Sequence, residues 1–507
     1  MEIMTITATP LVDALTEYAR QGVIRFHMPG HRGGRACPDP LRDWLGEAMR
    51  LDATGVLGLD DLHQPGGVLQ MAQELAAHCF GADHTFFLVN GTSAGVHAMI
   101  LATCGPGDKI VVARNLHKSA LAGLILSGAH PVYVPPELDE EFGISMGVEA
   151  ATIAAALEAH PGVRAVLVVN PTYYGVTSDL EAIAAVTHSH DIPLLVDEAH
   201  GPHFRFHPAL PTPALEAGAD AAAQGIHKIL SGLTQASFLH LKGPRVDATR
   251  MGDVLRVLQS TSASYLLMAS LDAARAQMVR EGRALWDRAL ELAALLREGV
   301  AAIPGLRTFG RERAGTPGLH DLDPTKVTVQ VTAVGLTGPE AEHILRYHHG
   351  IQAEMSDLYN LLFIVGYGNT REEVLHLLDA LAAMARDAGG HEATGHRGPA
   401  GTLSQENRVR GQVPAAPLPA PMPLPPIPPL EVLPREAFFH PARSVPLEQS
   451  RGRISAETVT CYPPGIPVLG PGEVVTPEVL EYLLTIRSTG LRISGPADPE
   501  LRRLRVL

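Results

Sequence analysis

Acidic and imidazole side chains follow an apolar run in the segment LLVDEAHG, Leu194 to Gly201. The run predicts a buried strand that delivers Asp197 and His200 to its carboxyl end, where open α/β sheets bind their ligands. The letters DEAH also occur in nucleic-acid motor ATPases, but those proteins need a GxxxxGK[ST] phosphate loop, which this sequence lacks. The segment therefore indicates ligand chemistry of another kind.

Lys228 lies thirty-one residues after Asp197, among the apolar residues of QGIHKILSGLTQASFLH. Apolar surroundings favour the neutral, nucleophilic form of a lysine amine. A lysine that follows a strand is more often an exposed solubilising residue, so the motif needs partners before it indicates catalysis. Asp197 is the first such partner.

Two further segments supply groups of complementary chemistry. VNGTSAG, Val89 to Gly95, stands between a predicted strand and a predicted helix, where hydroxyls and backbone N–H groups suit a phosphate. Helix capping alone would also explain such a turn. RNLHKS, Arg114 to Ser119, contains His117, whose ring is able to stack on a flat ligand, although a lone loop histidine would be unremarkable.

Together these groups are the components that hold a phosphorylated pyridine aldehyde, pyridoxal 5′-phosphate (PLP). Lys228 would bind its aldehyde as a Schiff base, and the phosphate would lie at Thr92, Ser93 and Ala94. The Asp197 carboxylate would keep the pyridine nitrogen protonated, so that the ring accepts the electron pair released at a substrate α-carbon. The combination is far more specific than any of its members.

Alternating apolar runs and helix-like stretches between Ala82 and Leu241 predict an α/β domain with a mostly parallel sheet. The apolar spacing after Tyr265 predicts a long amphipathic helix. The predicted strands are His84–Val89, Lys109–Ala113, Pro131–Val134, Arg164–Val169 and Pro193–Val196, and the predicted helices between them are Gly95–Thr103 and Leu180–His190.

Strands at Lys326–Val334 and Leu361–Val365, with helices at Glu340–Tyr347 and Arg371–Ala385, predict a smaller α+β domain. The proline tract that ends at Leu430 predicts an extended linker. The expected division is an N-terminal segment 1–25, a large α/β domain 26–275, a small α+β domain 276–386, a linker 387–430 and a C-terminal α+β unit 431–507.

Composition narrows the class of protein. The 507 residues carry a formal charge of −14, which disfavours nucleic acid and anionic lipid as partners. The four cysteines show no metal-like or disulfide-like spacing, so no metal is expected, and neither a signal peptide nor a transmembrane run is found. We therefore expect a cytoplasmic protein without a membrane partner.

The sequence resembles the Orn/Lys/Arg decarboxylases of PLP fold type I over nearly its whole length. The resemblance rests on eight segments that occur in the family's order: FHMPGHRGG, GLDDLHQPGG, FFLVNGTSAG, RNLHKS, NPTYYGVTSDL, VDEAHG, QGIHKILSGLTQAS and YPPGIPVLGPGE. It implies an aminotransferase-like large domain with a smaller α+β domain. Because HMPGH begins at His27, the chain resembles the short form of the family, without a receiver-like wing.

The resemblance also implies roles for individual residues. Ser93 and nearby amides would bind the phosphate, His117 would stack over the pyridine, and Asp197 would pair with its nitrogen. His227 with Lys228 would form the element that binds the cofactor covalently, with His200 beside it. Both His200 and Lys228 are expected to be catalytic.

Glu473, in the C-terminal PGE, would recognise the distal cationic group of a basic amino-acid substrate. Two positions depart from the family pattern: Ala94 and Gly225 stand where hydroxyl residues are common, which removes two groups able to bind phosphate. Arg32 stands where the family usually has lysine, and it keeps the positive charge.

The function implied is decarboxylation of arginine to agmatine, in polyamine synthesis, because the short form resembles biosynthetic arginine decarboxylases. Lysine and ornithine are the alternative substrates. An aminotransferase or lyase reaction, or a non-catalytic regulatory protein, are the alternative classes. A homodimer or a higher homo-oligomer is the family expectation.

Overall fold

The computed structural model describes residues 6–394, 424–462, 465–489 and 492–507. The chain divides into two compact units, of which the first comprises Met1–Val134, Val148–Pro171 and Thr177–Trp286, and the second comprises Pro135–Gly147, Thr172–Val176 and Asp287–Leu507. The five-part division expected from the sequence remains a prediction. Most of the proline tract lies outside the described residues.

The first unit is built on a seven-stranded sheet with the spatial order β1-β7-β6-β5-β4-β2-β3. Strands β2 to β6 pair in parallel, whereas β7 is antiparallel to both β1 and β6. The predicted α/β class is therefore confirmed. In chain order the strands are β1 His84–Leu88, β2 Lys109–Ala113, β3 His130–Val134, β4 Val163–Val169, β5 Leu194–Asp197, β6 Ala221–Gln224 and β7 Ser237–Leu241.

Helices cover both faces of this sheet, which explains why its strands are mostly apolar. In β2, Ile110 and Val112 belong to one buried cluster, and Val111 and Ala113 belong to another, as the two-residue period of a strand requires. The helices of this unit are α1 Pro10–Arg20, α2 Asp39–Leu45, α3 Ala48–Leu51, α4 Val68–Phe80, α5 Gly91–Thr103, α6 Lys118–Ser127, α7 Ala150–Ala159, α8 Leu180–Ser189, α9 Ile226–Ile229 and α10 Ala248–Leu258.

Two predicted bounds were wrong in ways that concern the site. Strand β1 ends at Leu88, not at Val89, because the Val89 N–H and C=O groups are bound by glutamine side chains instead of a strand. Helix α5 begins at Gly91, four residues before the predicted start, so Thr92 and Ser93 lie in its first turn. Strands β6 and β7 had not been predicted as strands. Alanine occupies three of the four β6 positions and is a weak strand former.

Helix α11 runs from Tyr265 to Ala301, as the amphipathic pattern predicts, and the boundary between the units falls after Trp286. In the second unit, helices α12 Gly338–His348 and α13 Arg371–Thr394 accompany strands Lys326–Gln330, Met355–Ser356 and Asn360–Ile364. Its C-terminal part contains α14 Pro434–Phe439, α15 Pro477–Thr489, the strand pair Arg443–Pro446 and Arg503–Val506, and the strands Val459–Tyr462, Ile466–Leu469 and Arg492–Ser494.

The four predicted elements of the second unit are found with different ends. The differences are one or two residues at each end for Asn360–Ile364 and Gly338–His348, and larger for the other two elements. The strand expected at Lys326–Val334 stops at Gln330, because Gln330 pairs with the first residue of its neighbour, Asn360. A single 3-10 turn, Thr332–Val334, follows. Helix α13 continues past the predicted end to Thr394. Within the described parts of the chain, no helix is both long and apolar enough to cross a membrane.

The N-terminal helix α1 is attached to α11 by a buried ion pair. Asp272 and Arg275 are fully buried, with Arg275 Nη2 2.7 Å from Asp272 Oδ1. Asp272 Oδ2 accepts the Leu11 N–H at 3.1 Å, and Arg275 donates to the carbonyls of Ile6 and Ala8. Burial raises the pKa of Asp272, opposed by its bonds to Arg275. The pair thus satisfies the backbone at the start of α1.

We expect Asp272→Asn to lower the free energy of unfolding by about 3 kcal/mol, because it leaves a buried guanidinium without its counter-ion. Urea unfolding followed by circular dichroism measures the change. Asp253→Asn is the matched control, because Asp253 and Arg256 form an ion pair of the same i,i+3 spacing with half-exposed side chains. The control should change stability by less than about 1 kcal/mol; equal losses in the two variants would contradict the anchoring role.

Candidate active site

Lys228 and His200 lie within hydrogen-bond distance of each other at the carboxyl edge of the sheet. Lys228 belongs to the short helix α9, directly after β6, and His200 follows β5. Lys228 Nζ lies 2.9 Å from His200 Nε2, and His200 is 6% exposed. Parallel pairing of β5 with β6 brings the two segments to the same edge. The sequence predicted the strand before His200 but not the strand before Lys228.

Backbone hydrogen bonds connect the aspartate and lysine segments. The Ala199 N–H donates to Asp197 Oδ1 at 3.2 Å, and the Gly225 N–H donates to the Ala199 carbonyl at 3.2 Å. The Lys228 N–H then donates to the Gly225 carbonyl at 3.0 Å. Asp197 itself is 5% exposed. A short series of hydrogen bonds therefore connects the Asp197 carboxylate with the backbone of Lys228.

Gly225 lies where these segments pack closely against each other. A Cβ atom at this position would lie 2.9 Å from the Ala199 carbonyl oxygen, 3.1 Å from Thr92 Oγ1 and 3.2 Å from Lys228 Cδ. Real Cβ atoms rarely approach other atoms so closely. A serine here, as is common in the family, would require the turn to shift, so the departure at Gly225 matches its surroundings.

The predicted phosphate turn lies at the start of α5. Gly91 adopts φ +76°, which favours glycine, and the Asn90 side chain does not cap the helix. Ser93 is half-buried, whereas Ala94 is buried. Thr92 Oγ1 lies 2.9 Å from Ser237 Oγ on β7, and both side chains are buried. Ser93 and the backbone N–H groups of this turn are thus the groups available to a phosphate.

Two glutamines hold this turn in place, and the sequence had not indicated either as a site residue. Gln259 accepts the Val89 N–H at 2.8 Å and donates to the Phe87 carbonyl at 3.1 Å. Gln235 donates to the Val89 carbonyl. Because β1 is an edge strand, these side chains bind backbone groups that no strand pairs. Gln235 lies within the family-like segment SGLTQAS, but Gln259 acts across 170 residues and has no local signal.

His117 is the residue that precedes helix α6. Its Nδ1 lies 2.8 Å from Ser119 Oγ and accepts the Ser119 N–H at 3.2 Å. Burial lowers the pKa of His117, the Asp197 carboxylate opposes that effect, and the Lys228 charge adds to it. These electrostatic effects require both groups to be near the ring. A neutral imidazole near Asp197 and Lys228 suits stacking on an aromatic ligand.

The remaining predicted site residues are His227, which belongs to the first unit, and Glu473, which belongs to the second. His227 Nδ1 donates to the Ala236 carbonyl at 3.0 Å, and burial lowers the pKa of His227. Glu473 belongs to the second unit, where its buried carboxylate accepts the Gly470 N–H at 2.6 Å. The part that Glu473 takes in substrate recognition stays a prediction.

Family models match most of the chain. The model described as Orn/Lys/Arg decarboxylase, major domain, matches residues 9–373, and the model of that family's C-terminal domain matches residues 427–497. A protein named arginine decarboxylase from Bacillus anthracis is 42% identical over 500 residues, which cover 98% of this chain and 97% of that protein. Another of that name, from Halalkalibacterium halodurans, is 43% identical with the same coverage.

Among solved structures, the constitutive lysine decarboxylase of Escherichia coli matches with a TM-score of 0.80 and 23% identity. The match covers 99% of this chain and 82% of that protein, and at this identity it shows the fold alone. The chain belongs to the Orn/Lys/Arg decarboxylase family, and it is a decarboxylase with the α/β fold of PLP fold type I. The family resemblance and the fold class expected from the sequence are thereby confirmed.

The residues present fit the cofactor that this family implies. The turn at Ser93 offers amides to a phosphate, and the Lys228 amine faces an imidazole. Asp197 supplies a buried carboxylate on the same edge. PLP contains a phosphate, an aldehyde and a basic ring nitrogen, so each of its groups has a complementary residue here.

We expect Gln259→Leu to weaken PLP binding about tenfold, because it removes the two hydrogen bonds that hold Phe87 and Val89 before the phosphate turn. Absorbance titration of the apoprotein with PLP measures the dissociation constant. Gln70→Leu is the control, because the Gln70 side chain is exposed on the surface of α4, where it donates to Glu74 at 2.8 Å. An unchanged constant in Gln259→Leu would show that the turn does not depend on this clamp.

Proposed function

We propose that this chain is a PLP-dependent arginine decarboxylase, which releases carbon dioxide from arginine and forms agmatine for polyamine synthesis. The observation that carries the proposal is the Lys228–His200 pair, with the Asp197 carboxylate tied to it by backbone hydrogen bonds. The choice of arginine rests on the relatives of that name, which are 41–43% identical over 98% of the chain.

Each residue of the site has a role in this proposal. Lys228 binds the cofactor aldehyde and Asp197 holds a proton on the ring nitrogen by its negative charge. His117 stacks on the ring, while Ser93 with the first amides of α5 binds the phosphate. When bound, PLP supplies an electron sink for the electron pair of a bond broken at the substrate α-carbon.

The proton that replaces the lost carboxyl group comes from the protein. His200 Nε2 and Lys228 Nζ are the two candidate donors, and their 2.9 Å separation allows a proton to pass between them. The buried position of His200 limits exchange with water. We propose that Glu473 binds the guanidinium of the substrate, because a carboxylate and a guanidinium form paired, charge-assisted hydrogen bonds.

The test supplies purified, PLP-loaded protein with arginine, lysine and ornithine separately and measures amine and carbon dioxide. We expect agmatine from arginine, and Lys228→Ala should lower turnover by at least ~10³-fold. Lys109→Ala is the control, because Lys109 lies at the start of β2, at the opposite edge of the sheet. Turnover that needs an oxo-acid acceptor would indicate an aminotransferase, and full activity of Lys228→Ala would exclude the proposed chemistry.

We also propose that the protein is a cytoplasmic homodimer. Apolar side chains between residues 23 and 57 are unusually exposed: Ile24 is 73%, Phe26 92%, Trp44 79% and Leu57 100% accessible. Large exposed apolar side chains concentrated in one segment are typical of an interface, and a second copy is the partner that a symmetric oligomer provides.

We expect the double variant Trp44→Asp/Leu57→Asp to be monomeric, because it introduces charges that would have to be buried in the interface. Light scattering coupled to size exclusion measures the mass. Val257→Asp, which changes an 85% exposed apolar residue on α10, is the matched control and should leave the dimer intact. A dimer of unchanged stability in the double variant would place the interface elsewhere.

A further inference from the structure

Four polar side chains form a continuous buried series, which crosses the adjacent strands β1, β7 and β6 and ends at the residue after β5. Thr85 Oγ1 lies 2.7 Å from His240 Nδ1, and His240 Nε2 lies 3.1 Å from Gln224 Oε1. Gln224 Nε2 lies 2.7 Å from Glu198 Oε2, and Glu198 Oε1 accepts the Ala214 N–H at 2.8 Å. We call Thr85, His240, Gln224 and Glu198 the buried relay. Its members are at most 4% exposed.

The turn that carries His200 is built around Glu198. The Glu198 N–H donates to the Ala223 carbonyl at 3.0 Å, and the Glu198 carbonyl accepts the Gly201 N–H at 3.0 Å. A Cβ atom at Gly201 would lie 2.7 Å from Glu198 Cγ, so the chain passes directly over this side chain. Any displacement of the Glu198 side chain therefore displaces the turn and, with it, the His200 imidazole.

The buried relay satisfies the carboxyl group in either of its protonation states. When Glu198 is ionised, both oxygens accept, Gln224 donates, and the His240 proton is on Nε2. When Glu198 is protonated, its O–H donates to the reversed Gln224 amide, and His240 carries its proton on Nδ1 instead. Burial raises the pKa of Glu198 to about 8 and lowers that of His240 to about 3. The neutral carboxyl group, which an amide imitates, is thus favoured at neutral pH.

We propose that Glu198 is a positioning residue, whose buried carboxyl group holds the turn 197–201 through Ala214 and Gln224 and thereby sets His200 against the Lys228 amine. Glu198 does not touch the reacting atoms in this scheme. The proposal rests on the proposed function of the Lys228 and His200 pair. It adds a requirement: position 198 must offer an acceptor to Ala214 and a hydrogen-bonding group to Gln224.

Two variants of Glu198 separate this role from simple filling of space. Glu198→Met keeps the length of the side chain but removes both hydrogen bonds, and we expect kcat to fall about 10- to 100-fold because His200 is displaced. Glu198→Gln retains an acceptor for Ala214 and a donor for Gln224. It should retain kcat within about threefold of the wild type, because the buried relay is able to bind an amide in the same arrangement in which it binds the protonated carboxyl group.

Asp220→Asn is the control for loss of a buried carboxylate in the same sheet. Asp220 is 2% exposed and accepts the Leu194 N–H at 2.8 Å, at the amino end of β5 and away from Lys228. We expect the Asp220→Asn variant to have a lower thermal stability than the wild type and an unchanged kcat. If Glu198→Met does not fold, Gln224→Leu, which removes one of the two bonds, takes its place and should lower kcat about threefold or more.

A second measurement distinguishes failure of this proposal from failure of the proposed function. The absorbance of the PLP-loaded protein is titrated with pH, because its midpoint reports the surroundings of Lys228 without any turnover. We expect the midpoint to move in Glu198→Met and Gln224→Leu and to remain in Glu198→Gln. Two results for Glu198→Met and Gln224→Leu would overturn the positioning role: a wild-type kcat, or loss of activity with an unchanged midpoint. Equal losses of kcat in Glu198→Met and Glu198→Gln would also overturn it.

Discussion

Parallel pairing of β5 with β6 is the constraint on which the site depends. It sends the chain out of both strands at one edge, so that Asp197 and Lys228 emerge side by side although they are far apart in sequence. The hydrogen bond from Gly225 to Ala199 then continues the pairing beyond the strands, into the turn and the short helix α9. The site is therefore an extension of the sheet, and its precision derives from backbone geometry more than from loop packing.

The polar groups of the site are supported by polar groups inside the sheet. Thr92 bonds to Ser237, and Glu198 continues through Gln224 to His240. Buried polar side chains destabilise a fold unless each has a partner, so a connected series is the form in which they are tolerated. Beneath the cofactor-facing edge, the sheet thus carries a layer that is hydrogen-bonded instead of purely apolar.

The sequence predicted those features that are local. Strand β2 was placed with both ends correct because its apolar run is bounded by polar residues, and the long helix after Tyr265 followed from its periodicity. The chemistry at Asp197 and His200 was visible because both come at the end of an apolar run that predicts a strand, and Lys228 was visible because it follows a histidine among apolar residues. Gln259 was not, because its partners Phe87 and Val89 are distant in the chain. The strand Ala221–Gln224 was not predicted, because alanine is a weak strand former. The segment is a strand because it is buried between two other strands of the sheet.

The lack of room at Gly225 has an evolutionary consequence. A methyl group there would press on the Ala199 carbonyl, on Thr92 and on Lys228 at once, so the tolerated residue at one position depends on the others. A serine at this place would require the 199 turn or the Thr92 side chain to shift. We therefore expect substitutions at residues 92, 199 and 225 to be epistatic, so that the order in which they are introduced affects whether each one is tolerated.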